Sequence, residues 1–114
     1  MRMIIAIIQP TKLATVREQL TRIGVERMTI GDALGYGRQR GQTSTYRGLE
    51  YRTDLLRKVV IEIVVNDDYL EPVLDVLRRA AKSGTQGEIG DGKVFVLPVV
   101  ETYDLAGSSG PGAV

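Results

Sequence analysis

A chain of 114 residues with 43% hydrophobic content is the size of one ordinary domain and can build a single core. Its charged residues, 25% of the total, balance to a net charge of +1, which argues against disorder and against a strongly basic nucleic-acid binder. Cysteine and histidine are both absent, which removes disulfides, thiolate nucleophiles, phosphohistidine chemistry, the usual general base and the commonest metal ligands. No metal site is expected. Enzymes built on carboxylates, lysine and arginine remain open, but most others are disfavoured.

The longest apolar run, Met3 to Ile8, is far short of the ~20 residues of a membrane span, and no small-residue cleavage site follows it. The expectation is a soluble, cytoplasmic protein with no direct membrane insertion. Being β-branched and short, the same run reads as a buried strand. Pro10-Thr11 offers a helix start with Thr11 as N-cap; Leu13, Val16, Leu20 and Ile23 follow at helical spacing, and Gly24 stops the helix. Val25 to Leu34 reads as a second strand. From Gly35 to Asp54 periodicity disappears among glycines, arginines, Gln, Thr, Ser and Tyr, the pattern of a long exposed loop at a hairpin, and such loops are usually functional.

Leu56 to Val65 is the clearest strand. Val59, Ile61, Ile63 and Val65 fall on one face, and Lys58, Val60, Glu62 and Val64 on the other. A second helix is expected from Asp68, with Glu71 completing a capping box and Pro72 tolerated in the first turn. Leu70, Val73, Leu74, Leu77 and Ala81 form its apolar stripe. A second glycine-rich loop runs from Ser83 to Gly92, a final strand from Val94 to Val100, and a Gly/Ser/Pro-rich tail from Ala106 to Val114.

The order β-α-β, loop, β-α-β defines an α+β fold: a ferredoxin-like βαββαβ antiparallel sheet with both helices on one face. The other face would be bare in a monomer, yet Ile4, Ile5, Ile7 and Ile8 cannot all face the helices. An apolar second face wants a partner, so a homo-oligomer with ligands in its intersubunit clefts is expected.

The loop Gly84 to Lys93 concentrates glycines at 84, 87, 90 and 92 beside Lys93, the chemistry of a phosphate cradle. Gly87 to Lys93 satisfies G-x-x-x-x-G-K, but Val94 stands where a Walker loop needs Ser or Thr, and the loop runs from helix to strand. A P-loop NTPase is therefore rejected, and phosphate binding and a merely solvated connector stand level on the residues alone. In the longer loop, Arg38 and Arg40 could neutralise a polyphosphate or simply keep it soluble; Tyr46 and Tyr51 could anchor a partner, although ordinary loop tyrosines are commoner. Glu62 sits mid-strand between Val60 and Val64, so its carboxylate must meet a cation, with Lys58 as candidate, or lie at a subunit boundary.

From Met1 to about Val100 the chain resembles the PII family of signal-transduction proteins. The resemblance rests on Ile7-Ile8-Gln9-Pro10, Met28-Thr29, Gly35-Tyr36-Gly37-Arg38-Gln39, Tyr46-Arg47-Gly48-Leu49-Glu50-Tyr51, Lys58 with Ile61 to Val65, and Gly87 to Phe95. It implies a homotrimer, with a PII-like domain over residues 1–105, a target-docking T-loop over 37–55 and a flexible tail over 106–114. It also implies adenine nucleotide in lateral clefts, bound through Ile7, Thr29, Gly35, Gly37, Arg38, Gln39, Glu62, Val64, Gly87, Gly90, Asp91, Gly92 and Lys93. An effector anion would meet Gln39, Arg40, Gly41 and Lys58, and Tyr51 occupies the position uridylylated in some members. No catalytic residue and no resident cofactor are implied, with Mg²⁺ only alongside ATP; the partner would be a membrane transporter or metabolic enzyme in carbon or nitrogen metabolism, not nucleic acid.

The chain departs from the family in three places. Gln9 stands where Lys or Arg usually helps hold 2-oxoglutarate, a few extra residues surround Ser83 to Gln86, and the arginine pair expected after the last strand is replaced by Glu101-Thr102-Tyr103-Asp104. Loss of those cations should weaken ATP more than ADP or AMP. Bicarbonate, the effector of some carboxysome-associated members, stands beside 2-oxoglutarate as a candidate. The competing classes are a small phosphotransferase, which would need a base other than His or Cys, and an RNA-binding module, which is poorly served by a single phenylalanine and no tryptophan.

Overall fold

Alternation of β-branched residues sets the sheet. The computed structural model describes residues 1–38, 53–84 and 91–106. Strands β1 (Arg2–Ile8), β2 (Thr29–Arg38), β3 (Thr53–Val65) and β4 (Gly92–Pro98) form one sheet in the order β2-β3-β1-β4, every pair antiparallel. Helices α1 (Leu13–Arg22) and α2 (Leu70–Ala80) connect β1 to β2 and β3 to β4 and pack against each other. This is the ferredoxin-like α+β architecture expected from the element order.

Ile4, Ala6 and Ile8 of β1 and Val59, Ile61, Ile63 and Val65 of β3 are buried together with Val16 and Leu20 of α1 and Val73, Val76 and Leu77 of α2. Each of these Ile, Val and Leu side chains contributes about 1.5–3 kcal/mol of burial, so the two central strands and the helices over them hold the fold. The opposite parity, Met3, Ile5 and Ile7 with Val60, Glu62 and Val64, is only half-buried, because no element among the described residues covers it. The edge strand β4 is exposed on both faces, including Phe95 at 48% and Leu97 at 41%.

Several boundaries differ from the sequence expectation. Neither helix has a side-chain cap: each begins with a 3-10 turn, Pro10–Lys12 and Asp67–Tyr69, so Thr11 is no N-cap and Asp68 and Glu71 form no capping box. Proline at the first position of the earlier turn fixes φ and starts the turn without a cap. Val25 is not strand. With Gly24 at φ +91° it completes a Schellman turn, Gly24 N–H donating to Thr21 and Val25 N–H to Leu20, each at 3.0 Å, while the Val25 side chain plugs the core.

The second strand therefore starts at Thr29 and runs on to Arg38, and β3 begins at Thr53, so the hairpin stem takes in residues at both ends of the expected 37–55 loop. The last strand likewise starts at Gly92 and ends at Pro98. Val76 joins the buried stripe of α2, where sequence spacing had placed Leu74, which is half-buried. No helix among the described residues is long and apolar enough to cross a membrane.

Candidate functional site

Residues directly opposed in an antiparallel pair share a face, so the register decides which candidates meet. Ile7 lies opposite both Val60 and Lys93, Thr29 opposite Glu62, Gly35 opposite Leu56, Ala33 opposite Lys58, and Val64 opposite Met3. Seven of the residues singled out from the sequence, Ile7, Thr29, Gly35, Lys58, Glu62, Val64 and Lys93, thus gather on the uncovered face. None is fully buried there. The Lys58 stem lies across Gly35, where an added Cβ would stand 3.2 Å from Lys58 Cγ. Lys58 does not answer Glu62: among the described residues no ion pair involves that carboxylate.

The start of β4 is tightly built. Gly92 has φ +130°, and a Cβ there would stand 1.8 Å from the Ile7 carbonyl oxygen, so only glycine lets the backbone lie against the end of β1. Asp91 is anchored by residues that sequence reasoning gave no such role. Ser83 N–H donates to Asp91 Oδ2 at 2.7 Å, Ser83 Oγ to Oδ1 at 2.8 Å, and Gln9 Nε2 to Oδ1 at 3.1 Å. Gln9, read only as a missing cation, is thus engaged with a carboxylate. A cavity of about 390 Å³ opens beside this junction, floored by Ile8, Leu77 and Ala81 and bordered by Arg78, Lys82 and Lys93.

The segment after β4 returns toward the start of β2. Val99 N–H extends the ladder to the Met1 carbonyl, and Asp104 Oδ2 lies 3.8 Å from Arg27 Nη1, two residues before Thr29. Tyr103 donates to Glu101 Oε2 at 2.5 Å, which holds its phenol above the ordinary range. Acidic groups therefore stand where the family resemblance places arginines. Among the described residues, no group of three or more carboxylates converges as a metal site.

Gly37 and Arg38 end β2, paired with Asp54 and Thr53. Gln39, Arg40, Gly41, Tyr46, Tyr51, Gly87 and Gly90 lie outside the described residues, as does the tail beyond Ala106.

A ferredoxin-like sheet with one covered face, a long β2-β3 hairpin and a tightly seated glycine at the entry to β4 is the frame that carries the candidate residues. The family model described as nitrogen regulatory protein P-II matches residues 1–107. The chain is 41% identical to nitrogen regulatory protein GlnK1 of Methanosarcina mazei, covering 100% of this chain and 97% of that one. It is 46% identical to nitrogen regulatory protein P-II of Bradyrhizobium diazoefficiens over the full length of both. It is 50% identical to nitrogen regulatory protein P-II 1 of Escherichia coli, covering 92% of this chain and 91% of that one. The chain belongs to the PII family of regulatory signal-transduction proteins.

Proposed function

We propose that this PII protein is a homotrimeric sensor that binds adenine nucleotide at clefts completed by adjoining protomers and transmits occupancy through the β2-β3 hairpin to a target protein. The observation that carries this reading is the gathering of Ile7, Thr29, Glu62, Val64 and Lys93 on one uncovered, largely apolar sheet face. An apolar strip offers a surface for a purine, Lys93 offers charge for phosphate, and only a second copy can enclose them. Gly35, Gly37, Arg38, Gln39, Gly87, Gly90, Asp91 and Gly92 complete the nucleotide set, and residues 37–55 act as the docking loop.

ADP and AMP are favoured over ATP. Glu101 and Asp104 add negative charge to the segment after β4, and each further phosphate meets that charge without the arginines the family resemblance leads one to expect. Titration calorimetry tests the order: ADP binding at least as tightly as ATP supports it, and a strong preference for ATP refutes it. Mg²⁺ enters only with ATP.

The second effector is a small carboxylate or bicarbonate near Lys58, Gln39, Arg40 and Gly41. The relatives' nitrogen-regulatory names favour 2-oxoglutarate, whereas Gln9, neutral where the family usually has Lys or Arg and engaged with Asp91, leaves less cationic charge and suits bicarbonate. Nucleotide titrations with and without each anion separate the two, since coupling must be reciprocal. The output is regulation of a membrane transporter or metabolic enzyme; slow phosphotransfer would not alter that assignment, and fast saturable turnover would.

A further inference from the structure

The register of β4 is not set by its own side chains. Val94, Phe95, Val96 and Leu97 place apolar groups on both parities, and all four are more than a third exposed. A strand slipped by one residue would bury nearly the same apolar surface, yet it would move every side chain to the opposite face. Lys93 would then leave its place opposite Ile7 and join the helix face beside the Ala6 and Ile8 rows. The fold therefore needs a register pin at this edge.

We infer that the Ser83–Asp91–Gln9 hydrogen-bonded cluster is that pin, a positioning device that sets the register of β4 and so aims Lys93 at the phosphates of the proposed nucleotide. The inference rests on the nucleotide reading given above. Asp91 is tied to the end of α2 through both the backbone and the hydroxyl of Ser83, and to the end of β1 through Gln9. Next to it, Gly92 is seated against the Ile7 carbonyl so closely that no other residue fits. These contacts fix the first residue of β4 from two different elements. At the far end Pro98 opposes Arg2 without an N–H, and the one further contact, Val99 N–H to the Met1 carbonyl, is backbone to backbone, so side-chain discrimination falls to the Asp91 end. Gln9 thereby acts on nucleotide selection through Lys93, without touching the ligand.

The test uses the full chain with the variants Asp91→Ala, Gln9→Ala, Ser83→Ala and Ser83→Thr, and adenosine, AMP and ADP as probes. Amide exchange of Ser83 without nucleotide reads the cluster directly: Asp91→Ala is expected to speed it about tenfold or more. In calorimetry, Gln9→Ala and Ser83→Ala, which lie outside the proposed nucleotide set, should each weaken ADP about fivefold or more, leave adenosine unchanged, and give an intermediate loss for AMP. Ser83→Thr, which keeps the hydroxyl, should restore ADP binding. The smaller Ser83 and Gln9 changes keep the test decisive if Asp91→Ala fails to fold. Equal losses for adenosine and ADP would overturn the inference, as would unchanged ADP binding in the Ser83→Ala and Gln9→Ala proteins. Wild-type protein that binds no adenylate would overturn the nucleotide reading itself, a result distinct from variants that match a nucleotide-binding wild type.

Discussion

The two faces of the sheet draw on the same kind of residue and meet different fates. Ile4 and Ile63 are sealed under α1 and α2 at 0% and 1% exposure, while their neighbours Ile5 and Val64 stay half-open on the other side. Both faces are apolar, so burial on one is completed within the protomer, and on the other it falls to a second copy in the proposed assembly. The covered face carries stability. The uncovered face carries the candidate ligand residues, and Glu62, a carboxylate without an ion-pair partner among the described residues, stands in its midst.

Substitutions on the two faces should therefore separate folding from assembly. Ile61→Ala opens a cavity in the covered core and is expected to cost about 2–5 kcal/mol in urea unfolding, the largest effect. Gly92→Ala, at the junction of the faces, forces backbone against the Ile7 carbonyl and should cost about 3 kcal/mol. Phe95→Asp on the uncovered side of β4 should leave far-ultraviolet circular dichroism intact but dissociate the assembly by sedimentation, because it spoils an interface and not a core. If Phe95→Asp unfolded the protomer, or Ile61→Ala merely dissociated it, the contrast between the faces would be wrong.

The smallest effect concerns Asp67, which joins the Met1 ammonium at 3.1 Å and Arg2 at 3.6 Å. The ammonium, by hydrogen bond and charge, holds the Asp67 carboxyl below its ordinary value. A depressed folded-state pKa gives stability that is present above the unfolded carboxylate range and is lost as pH falls through the lowered value. Asp67→Asn should thus lower Tm slightly at about pH 7, and the difference should shrink as pH falls through the lowered value and the aspartate becomes neutral.

Much of this arrangement is legible in the residues. The alternation through Val59, Ile61, Ile63 and Val65 announces β3 and its faces, and Gly24 marks the end of α1, because local periodicity and a left-handed turn are short-range properties. The start of β2 is hidden, since Val25 is β-branched yet serves as the plug of a helix-terminating turn. Its far end is hidden too: Gly35 and Gly37 read as loop, but cross-strand pairing with β3 keeps them in the stem. The helix starts mislead because the Thr11 and Asp68 signals are overridden by 3-10 turns. The Ser83–Asp91–Gln9 cluster joins residues as many as 82 positions apart, and no spacing rule reaches that far.

The central claim, that the bare face is closed by other copies and holds adenylate there, is tested most directly by native mass spectrometry of the purified chain with ADP. The account predicts a species at three times the 12.5 kDa protomer mass that gains one ADP per protomer. A lone protomer carrying no nucleotide would contradict it.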